Sequence, residues 1–289
     1  MNEQHQHAAF ADQARQISAA MEENVRLATD TYRLRVHCPE IAARVLPGQF
    51  VMLRLAGTND PLLGRPLAVY DVLRDAEGRA RGLEIVYLVV GRMTRRLAQL
   101  PAGTLLDMWG PLGNGFPLRA AEHVVIVAGG IGVTPFLMLA REYLGQQQYG
   151  SPPRSMPRAQ RVSLCYGVRS GEHLAGLDGF RQLGVNVHVS TDDGSCGHRG
   201  LVIDLLEPLL GDPPRTLIVA CGPEPMLKAV AELAERRDVP CLVSLETPMA
   251  CGVGICFSCV SKVRDGAGGW DYRRTCVEGP VFDARDVEL

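Results

Sequence analysis

The chain has 289 residues, 46% of them hydrophobic, which suits two globular domains of ordinary size with a small appendage. Thirty Lys and Arg stand against 32 Asp and Glu, and the basic residues form no run. That balance excludes a nucleic-acid groove or an anionic-membrane face as the main function.

The opening stretch "MNEQHQHAAFADQARQ" is polar and lacks the apolar core of a signal peptide. In chain order, residues 24–37 alternate, with Val25, Leu27, Leu34 and Val36 among polar neighbours. The stretches "GQFVMLRL" (48–55), "LAVYDVL" (67–73), "GLEIVYLVV" (82–90) and "TLLDMW" (104–109) extend the strand signals, with turn residues between them. One short helix is expected near 94–100. Closely spaced strands with little helix predict an N-terminal antiparallel β-barrel, assigned to residues 20–120.

After residue 120 the rhythm changes. "HVVIVAGG" is a continuous apolar run, the mark of a parallel strand buried on both faces. A helix pattern follows from about Thr134 to Leu144. Strands are expected at 161–167, 185–191, 216–222 and 239–245, with helical stretches such as 224–237 between them. This alternation predicts a doubly wound α/β domain over residues 121–246, so the whole is an α+β multidomain chain. The stretch "GQQQYGSPPRSMPRAQ" (145–160) reads as an exposed loop within that domain. The longest uncharged run, 124–140, is broken by Gly129, Gly130, Gly132 and Pro135 and falls short of a membrane span. A cytoplasmic protein with no membrane segment is expected. Residues 247–289 are rich in Cys and Gly and too few for a core of their own, so a metal or a neighbouring domain must hold them.

Nine cysteines in a chain without a secretory signal point to thiols, metal ligands or catalysis rather than to disulfides. Cys165, Cys221 and Cys241 fall in predicted buried strands and read first as small buried hydrophobes. Cys251, Cys256, Cys259 and Cys276 make a C-x4-C-x2-C-x16-C set. Structural zinc favours two C-x2-C knuckles, and only one exists here. A redox disulfide leaves two thiols unused. The order and spacing match the plant-type ligand set of a [2Fe–2S] cluster, in which two irons need four thiolates. Gly252 and Gly254 would let the loop curl so that backbone N–H groups point at sulfur. Zinc stands as the alternative.

Two loops have phosphate-binding character. "VAGGIGVTPFL" (127–137) follows a buried strand and opens a helix, and "CGPEPML" (221–227) does the same. Both would lie at the C-terminal edge of one parallel sheet, where nucleotides bind, although a tight turn alone would also explain each. In the barrel, Arg65 precedes Pro66 at a strand start and has the fork geometry to clamp a pyrophosphate. Thr94, in "GRMTRRL", is a candidate N-cap beside an anion site.

Eight segments now occur in one order: "PGQFVML", "RPLAVYD", "GPLGNGF", "VAGGIGVTPF", "TDDGSCGHRG", "ACGPEPML", "LETPMACGVGICFSC" and "RTCVEGPVF". In this the chain resembles the ferredoxin–NADP⁺ reductase-like superfamily, and within it the electron-transfer subunits of class 1B dihydroorotate dehydrogenase. The resemblance covers about residues 20–285. It implies a flavin-binding barrel, an NAD-binding domain and a C-terminal [2Fe–2S] domain ligated by Cys251, Cys256, Cys259 and Cys276. It places Arg65 and Pro66 at the FAD pyrophosphate and the Leu67–Ala68–Val69 backbone along the isoalloxazine. Gly91 and Thr94 would hold the FAD phosphates. Gly129, Gly130, Gly132 and Thr134 would face the NAD pyrophosphate. Cys221, Gly222 and Pro223 would lie near the nicotinamide, with Glu246 near the flavin–nicotinamide site. Many relatives have Ser or Thr at position 68, so Ala68 leaves only a backbone N–H for the flavin there.

The implied function is a relay among NAD(H), FAD, [2Fe–2S] and an FMN-containing dihydroorotate dehydrogenase catalytic subunit in pyrimidine synthesis, in a heterotetramer of two plus two. NADH is implied over NADPH, with Arg169 and Ser170 at the position a 2′-phosphate would occupy. The same frame also serves ferredoxin:NAD(P)H oxidoreductases, sulfide dehydrogenases and hydrogenases, and a zinc-binding adaptor would be a non-enzymatic use of it.

Overall fold

The computed structural model describes residues 12–211, 215–266 and 268–289. The N-terminal reading against a signal peptide falls largely on residues 1–11, outside the described residues. Alternating apolar positions produce six strands: β1 (Arg15–Ala28), β2 (Thr31–His37), β3 (Phe50–Leu55), β4 (Arg65–Arg74), β5 (Ala80–Leu88) and β6 (Leu105–Leu112). They close into an antiparallel barrel in the order β1-β2-β5-β4-β3-β6. Leu34, Val36, Leu53, Val69, Leu83, Ile85 and Met108 fill its interior and are fully buried. β1 starts nine residues before the alternation at 24. Its early inward positions are Ala19 and Met21, whose pattern among small and polar neighbours is weak.

Two short helices belong to the barrel, α1 (Pro39–Ala42) and α2 (Arg92–Leu97). Thr94 is not the N-cap of α2. Gly91 is, and Thr94 sits a turn inside, its buried hydroxyl accepting the N–H groups of Val90 and Gly91, each at 3.1 Å. The extended Gly91 backbone takes the cap position, so the threonine reaches back to it instead.

The second unit contains β7 (His123–Gly129), α3 (Phe136–Tyr143), β8 (Arg161–Val168), α4 (Leu177–Gln182), β9 (Asn186–Thr191) and β10 (His198–Arg199). α5 (Ile203–Leu206), β11 (Thr216–Cys221), α6 (Glu224–Arg236) and β12 (Cys241–Ser244) complete it. Its sheet runs β10-β9-β8-β7-β11-β12, all parallel. The apolar run of β7 is explained by cover on both faces. Val124, Ile126 and Ala128 pack with α3 and α4, while Val125 and Val127 pack with α5 and α6. α3 starts two residues after the expected Thr134, because a 3₁₀ turn over Gly130–Val133 intervenes.

A seventh strand, β15 (Val281–Asp283), pairs antiparallel with β12 at the sheet edge. The intervening residues form the cysteine lobe, with the hairpin β13 (Val260–Arg264) and β14 (Trp270–Arg274). The lobe is therefore tied into the α/β sheet at both ends. Asn114, from the loop after β6, seals the tie: its Nδ2 donates to the Val281 carbonyl at 2.8 Å and its Oδ1 accepts the Val281 N–H at 3.1 Å.

The 145–160 stretch is a strap rather than a free loop. Its polar residues are exposed, but Tyr149, Met156 and Ala159 are buried, and Tyr149 packs into the barrel core. Arg154 forms a bidentate pair with the buried Glu142 at 2.8 and 2.6 Å and donates to the Phe116 carbonyl. Composition reports the exposed residues and hides these anchors. The barrel and the α/β unit are also joined directly. The Tyr70 hydroxyl donates to the Gly176 carbonyl at 2.7 Å, and Arg141 pairs with Asp71 at 3.1 Å.

Candidate active site and cluster lobe

β4 changes partner along its length. Arg65, Pro66, Leu67 and Ala68 pair with β3, whereas pairing with β5 begins only at Val69. The edge of residues 65–68 that faces β5 thus has no ladder partner among the described residues. All four of these residues are half-exposed, where a closed barrel strand would alternate. Backbone polar groups left open at a strand edge need partners, and a flat heterocycle with ring N and C=O groups along one edge would supply them. Arg65 stands at the head of this edge, its Nη1 bonded locally to the Gly64 carbonyl at 3.0 Å. The space over Gly91 is open, for a Cβ built there would meet nothing within 4 Å. Arg92 beside it is largely exposed and pairs with Asp60 at 2.6 Å. The basic groups and open backbone at Gly91 fit an anionic phosphate chain. The Thr94 hydroxyl is engaged in its own turn and shapes this corner rather than projecting from it.

At the C-terminal edge of the parallel sheet, β7, β11 and β12 lie side by side. Gly129 and Gly132 are there because two loops meet back to back. A Cβ on Gly132 would lie 2.3 Å from the Cys221 carbonyl oxygen, and one on Gly129 would lie 2.8 Å from Pro223 Cδ. Gly130 has a positive φ of 55° with open space above it, as close approach of a nucleotide requires. Thr134 is buried behind this turn. Gly132→Ala is expected to push the two loops apart and raise the KM for the nicotinamide nucleotide about tenfold or more, as steady-state kinetics would show.

Cys221 ends β11 and is buried. Burial, then the Glu246 charge, raises its thiol above the ordinary range, against a hydrogen bond with Ser244 that lowers it. It is a neutral thiol, not a nucleophile. Gly222, with φ of 158°, and Pro223 lead from it into α6. Glu246 lies two residues beyond Ser244, the β12 partner of Cys221. It is exposed to solvent, yet the protein packed around its carboxyl desolvates it and raises its pKa.

The four lobe cysteines come together as two pairs. The Cys259 and Cys276 Sγ atoms are 3.2 Å apart, and Cys251 lies near enough to Cys256 to favour its thiolate. No three potential metal ligands gather around one point among the described residues. Two pairs suit two irons bridged by sulfide better than one tetrahedral ion. Gly252 and Gly254 have φ of 74° and 80°, which only glycine adopts freely. The curled backbone aims the Val253 N–H at Cys251 Sγ, 3.4 Å away, and the Gly254 N–H at Cys276. Ser258, through hydroxyl and backbone hydrogen bonds, and then Cys251 lower the exposed Cys256 thiol to about 6. Burial and the Cys259 thiol push Cys276 up to about 12.

Several groups that build this site carry no sequence signal of their own. Thr275 is fully buried and donates both its N–H and its hydroxyl to the Cys259 carbonyl, each at 2.8 Å. Arg274 holds the Gly254 carbonyl at 3.1 Å and is itself held by Glu278. Of the remaining cysteines, Cys38, Cys165 and Cys241 are buried and Cys196 is exposed.

What converges on the junction fixes the class. The barrel has an unpaired strand edge, the parallel sheet ends in two glycine loops packed back to back, and the thiol lobe is fastened to the barrel through Trp109, the parts expected of an NAD-linked flavin and iron–sulfur oxidoreductase. Family models agree in chain order: an oxidoreductase FAD-binding domain over residues 18–116, an oxidoreductase NAD-binding domain over 126–232, and the iron–sulfur cluster binding domain of dihydroorotate dehydrogenase B over 246–288. The dihydroorotate dehydrogenase B (NAD(+)) electron transfer subunit of Caldanaerobacter subterraneus is 35% identical over 91% of this chain and 95% of its own. That of Shouchella clausii is 37% identical over 91% and 94%. The chain belongs to the family of dihydroorotate dehydrogenase B electron-transfer subunits.

Among solved structures, the chain is similar to an NADH-dependent reduced ferredoxin–NADP oxidoreductase, with a TM-score of 0.76 and 28% identity over 94% of this chain and 90% of that one. It shares its fold with a ferredoxin NADP⁺ reductase from Neisseria gonorrhoeae, with a TM-score of 0.63 and 18% identity over 77% of this chain and 91% of that one. No helix among the described residues is long and apolar enough to cross a membrane.

Proposed function

We propose that this chain passes electrons between NAD(H), FAD, a [2Fe–2S] cluster and the FMN of a dihydroorotate dehydrogenase catalytic subunit in pyrimidine biosynthesis. The observation that carries this reading is the thiol lobe seated on the open-edged barrel, together with similarity to electron-transfer subunits over 91% of the chain. When bound, the nicotinamide would supply two electrons as one hydride, the flavin would exchange electrons in pairs or singly, and the cluster would carry one at a time.

The protein's part is positioning. Arg65 and the backbone at Gly91 hold the phosphate chain of FAD, and residues Pro66 to Val69 line its ring. Ala68 offers a backbone N–H and no hydroxyl. Gly129, Gly130 and Gly132 bring backbone close to the NAD pyrophosphate. Cys221, Gly222, Pro223 and Glu246 line the place where nicotinamide and flavin meet. Cys221, as a neutral thiol, adds no charge where hydride moves, and Glu246 supplies a carboxyl beside it.

NADH rather than NADPH fits the adenosine end. The Asp192 and Asp193 N–H groups bond the Val168 and Arg169 carbonyls at 3.2 and 3.3 Å, which sets the backbones of two acidic residues beside that of Arg169. The Ser170 hydroxyl is taken by His173 at 2.8 Å. Acidic neighbours oppose a 2′-phosphate.

The catalytic partner docks on the cluster lobe as a cytoplasmic assembly of two chains of each kind. Ile255 and Phe257 flank the ligand Cys256 and are 78% and 61% exposed, a large apolar display for a lobe this small. Ile255→Asp is expected to weaken retention of the catalytic subunit about tenfold or more, with iron content unchanged, as pull-down and metal analysis would show. The test of the function is co-expression with an FMN-bearing dihydroorotate dehydrogenase subunit. Orotate-dependent NADH oxidation by the isolated complex supports the reading. Activity with ferredoxin alone would instead favour the second reading, an NADH-linked ferredoxin oxidoreductase subunit, which the similarity at TM-score 0.76 brings forward.

A further inference from the structure

Trp109 is one of two tryptophans in the chain. It lies on β6 between the buried Met108 and Gly110. Met108 points into the barrel, so Trp109 points out. On that outer face it is covered by the cysteine lobe, in a cluster with Phe50, Met52, Leu112, Met249, Cys259 and Cys276.

The two ends of the indole touch two different sites. Nε1–H donates to the Cys251 carbonyl at 2.9 Å. At the far edge of the ring, a Cβ built on Gly64 would lie 2.8 Å from the Trp109 carbon Cη2. Gly64 immediately precedes Arg65, the head of the open flavin edge. One rigid side chain therefore spans from the residue carrying the first thiol to the start of the flavin strand. A second contact runs parallel to it. Met52 pairs in the sheet with both Pro66 and Trp109, and a Cβ on Gly252 would lie 2.6 Å from Met52 Cγ. The cluster loop is thus pressed against the strand next to the flavin, and Trp109 is its only hydrogen-bonded spacer among the bonds described for Cys251 in this face.

We propose that Trp109 is a positioning residue for electron transfer between flavin and cluster. Its ring sets the separation between the flavin strand and the Cys251 loop, and its N–H sets the hydrogen bonding of the Cys251 backbone. No oxidation of the indole is involved. The inference rests on the reading that residues 65–69 hold FAD and that the four lobe thiols hold the cluster. A donor to the carbonyl of a ligand residue withdraws charge from the iron site, so its loss makes the cluster harder to reduce.

The test uses the full chain with FAD and cluster, mixed anaerobically with NADH and followed by flavin absorbance and cluster electron paramagnetic resonance. Trp109→Phe keeps a shorter aromatic ring between strand and lobe and removes the N–H. It is expected to retain full iron and to lower the cluster midpoint potential. Trp109→Leu removes both contacts and is expected to slow flavin-to-cluster transfer about tenfold or more, since small misplacements cost large factors in rate. Gly64→Ala, which pushes on the ring, is expected to slow the same step in the native background and to add little in the Trp109→Leu background, the mark of coupled neighbours. The proposal is overturned by Trp109→Phe with an unchanged potential together with Trp109→Leu at the native transfer rate. It is also overturned by additive effects of Gly64→Ala and Trp109→Leu, or by iron loss in both tryptophan variants, which would mark a purely structural role. Failure of the native protein itself to bleach its flavin with NADH, or to show a reduced cluster, would defeat the underlying functional reading instead.

Discussion

Cys276→Ser is expected to strip the cluster and cut electron delivery to the catalytic subunit about a hundredfold or more, while NADH still reduces the flavin. Cys276 follows the hairpin and alone among the four thiols lies outside the 251–259 loop. It stands 3.2 Å from Cys259, so its loss would leave Cys259 as the single thiol of that pair to hold iron. A serine hydroxyl is a poorer ligand for soft iron sites and harder to deprotonate. Burial and the Cys259 thiol push the Cys276 thiol up to about 12, so a bound iron would have to displace its proton. The sign for pH follows: as pH falls, protons compete better for the thiolates and the cluster is retained less. Iron content and the absorbance of the oxidised cluster measure the loss, and flavin bleaching by NADH under anaerobic conditions measures what survives. The fold around the site is expected to hold, because β15 still pairs with β12 and Asn114 still clasps Val281.

Arg65→Ala is expected to weaken FAD binding about a hundredfold or more, enough to yield flavin-poor protein after purification. Charge-assisted hydrogen bonds contribute about 1.5–3 kcal/mol each, and a guanidinium makes two to a phosphate. Arg65→Lys keeps the charge and loses the fork, so an intermediate loss is expected. In the structure the Arg65 side chain bonds only the adjacent Leu63 and Gly64 carbonyls, at 3.2 and 3.0 Å, and it has no carboxylate partner among the described ion pairs. Its removal therefore costs little folding stability. Calorimetric titration of the flavin-free variants with FAD separates the two substitutions, and a native affinity in Arg65→Ala would remove Arg65 from the phosphate site.

Much of this site was legible because each signal was local. The run 124–128 is apolar without alternation, and the structure covers both its faces. The spacing of four cysteines, with glycines between the first two, survives as paired thiols on a loop of positive-φ glycines. The glycine loops at 129–132 and 221–223 meet where two adjacent parallel strands end.

What stayed hidden depends on partners far away in the chain. β15 is three residues long, and only its pairing with β12 makes it a strand. Asn114 looks like a turn residue, and its clasp on Val281 crosses 167 positions. The strap at 145–160 is polar by composition, yet it is fastened by Tyr149 and Arg154. The neighbours of Thr94 suggest a cap there, but Gly91, with its extended backbone, occupies that position. Trp109 has the same character: nothing near it in sequence names Cys251 or Gly64 as its contacts.

The central claim is that one chain holds both a flavin reducible by NADH and a two-iron cluster in electronic contact with it. The direct measurement is anaerobic reduction of the purified protein by NADH, with absorbance and low-temperature electron paramagnetic resonance recorded on the same sample. The account predicts bleaching of the flavin and one reduced [2Fe–2S] signal per chain. One zinc per chain, with no flavin absorbance and no resonance signal, would contradict it.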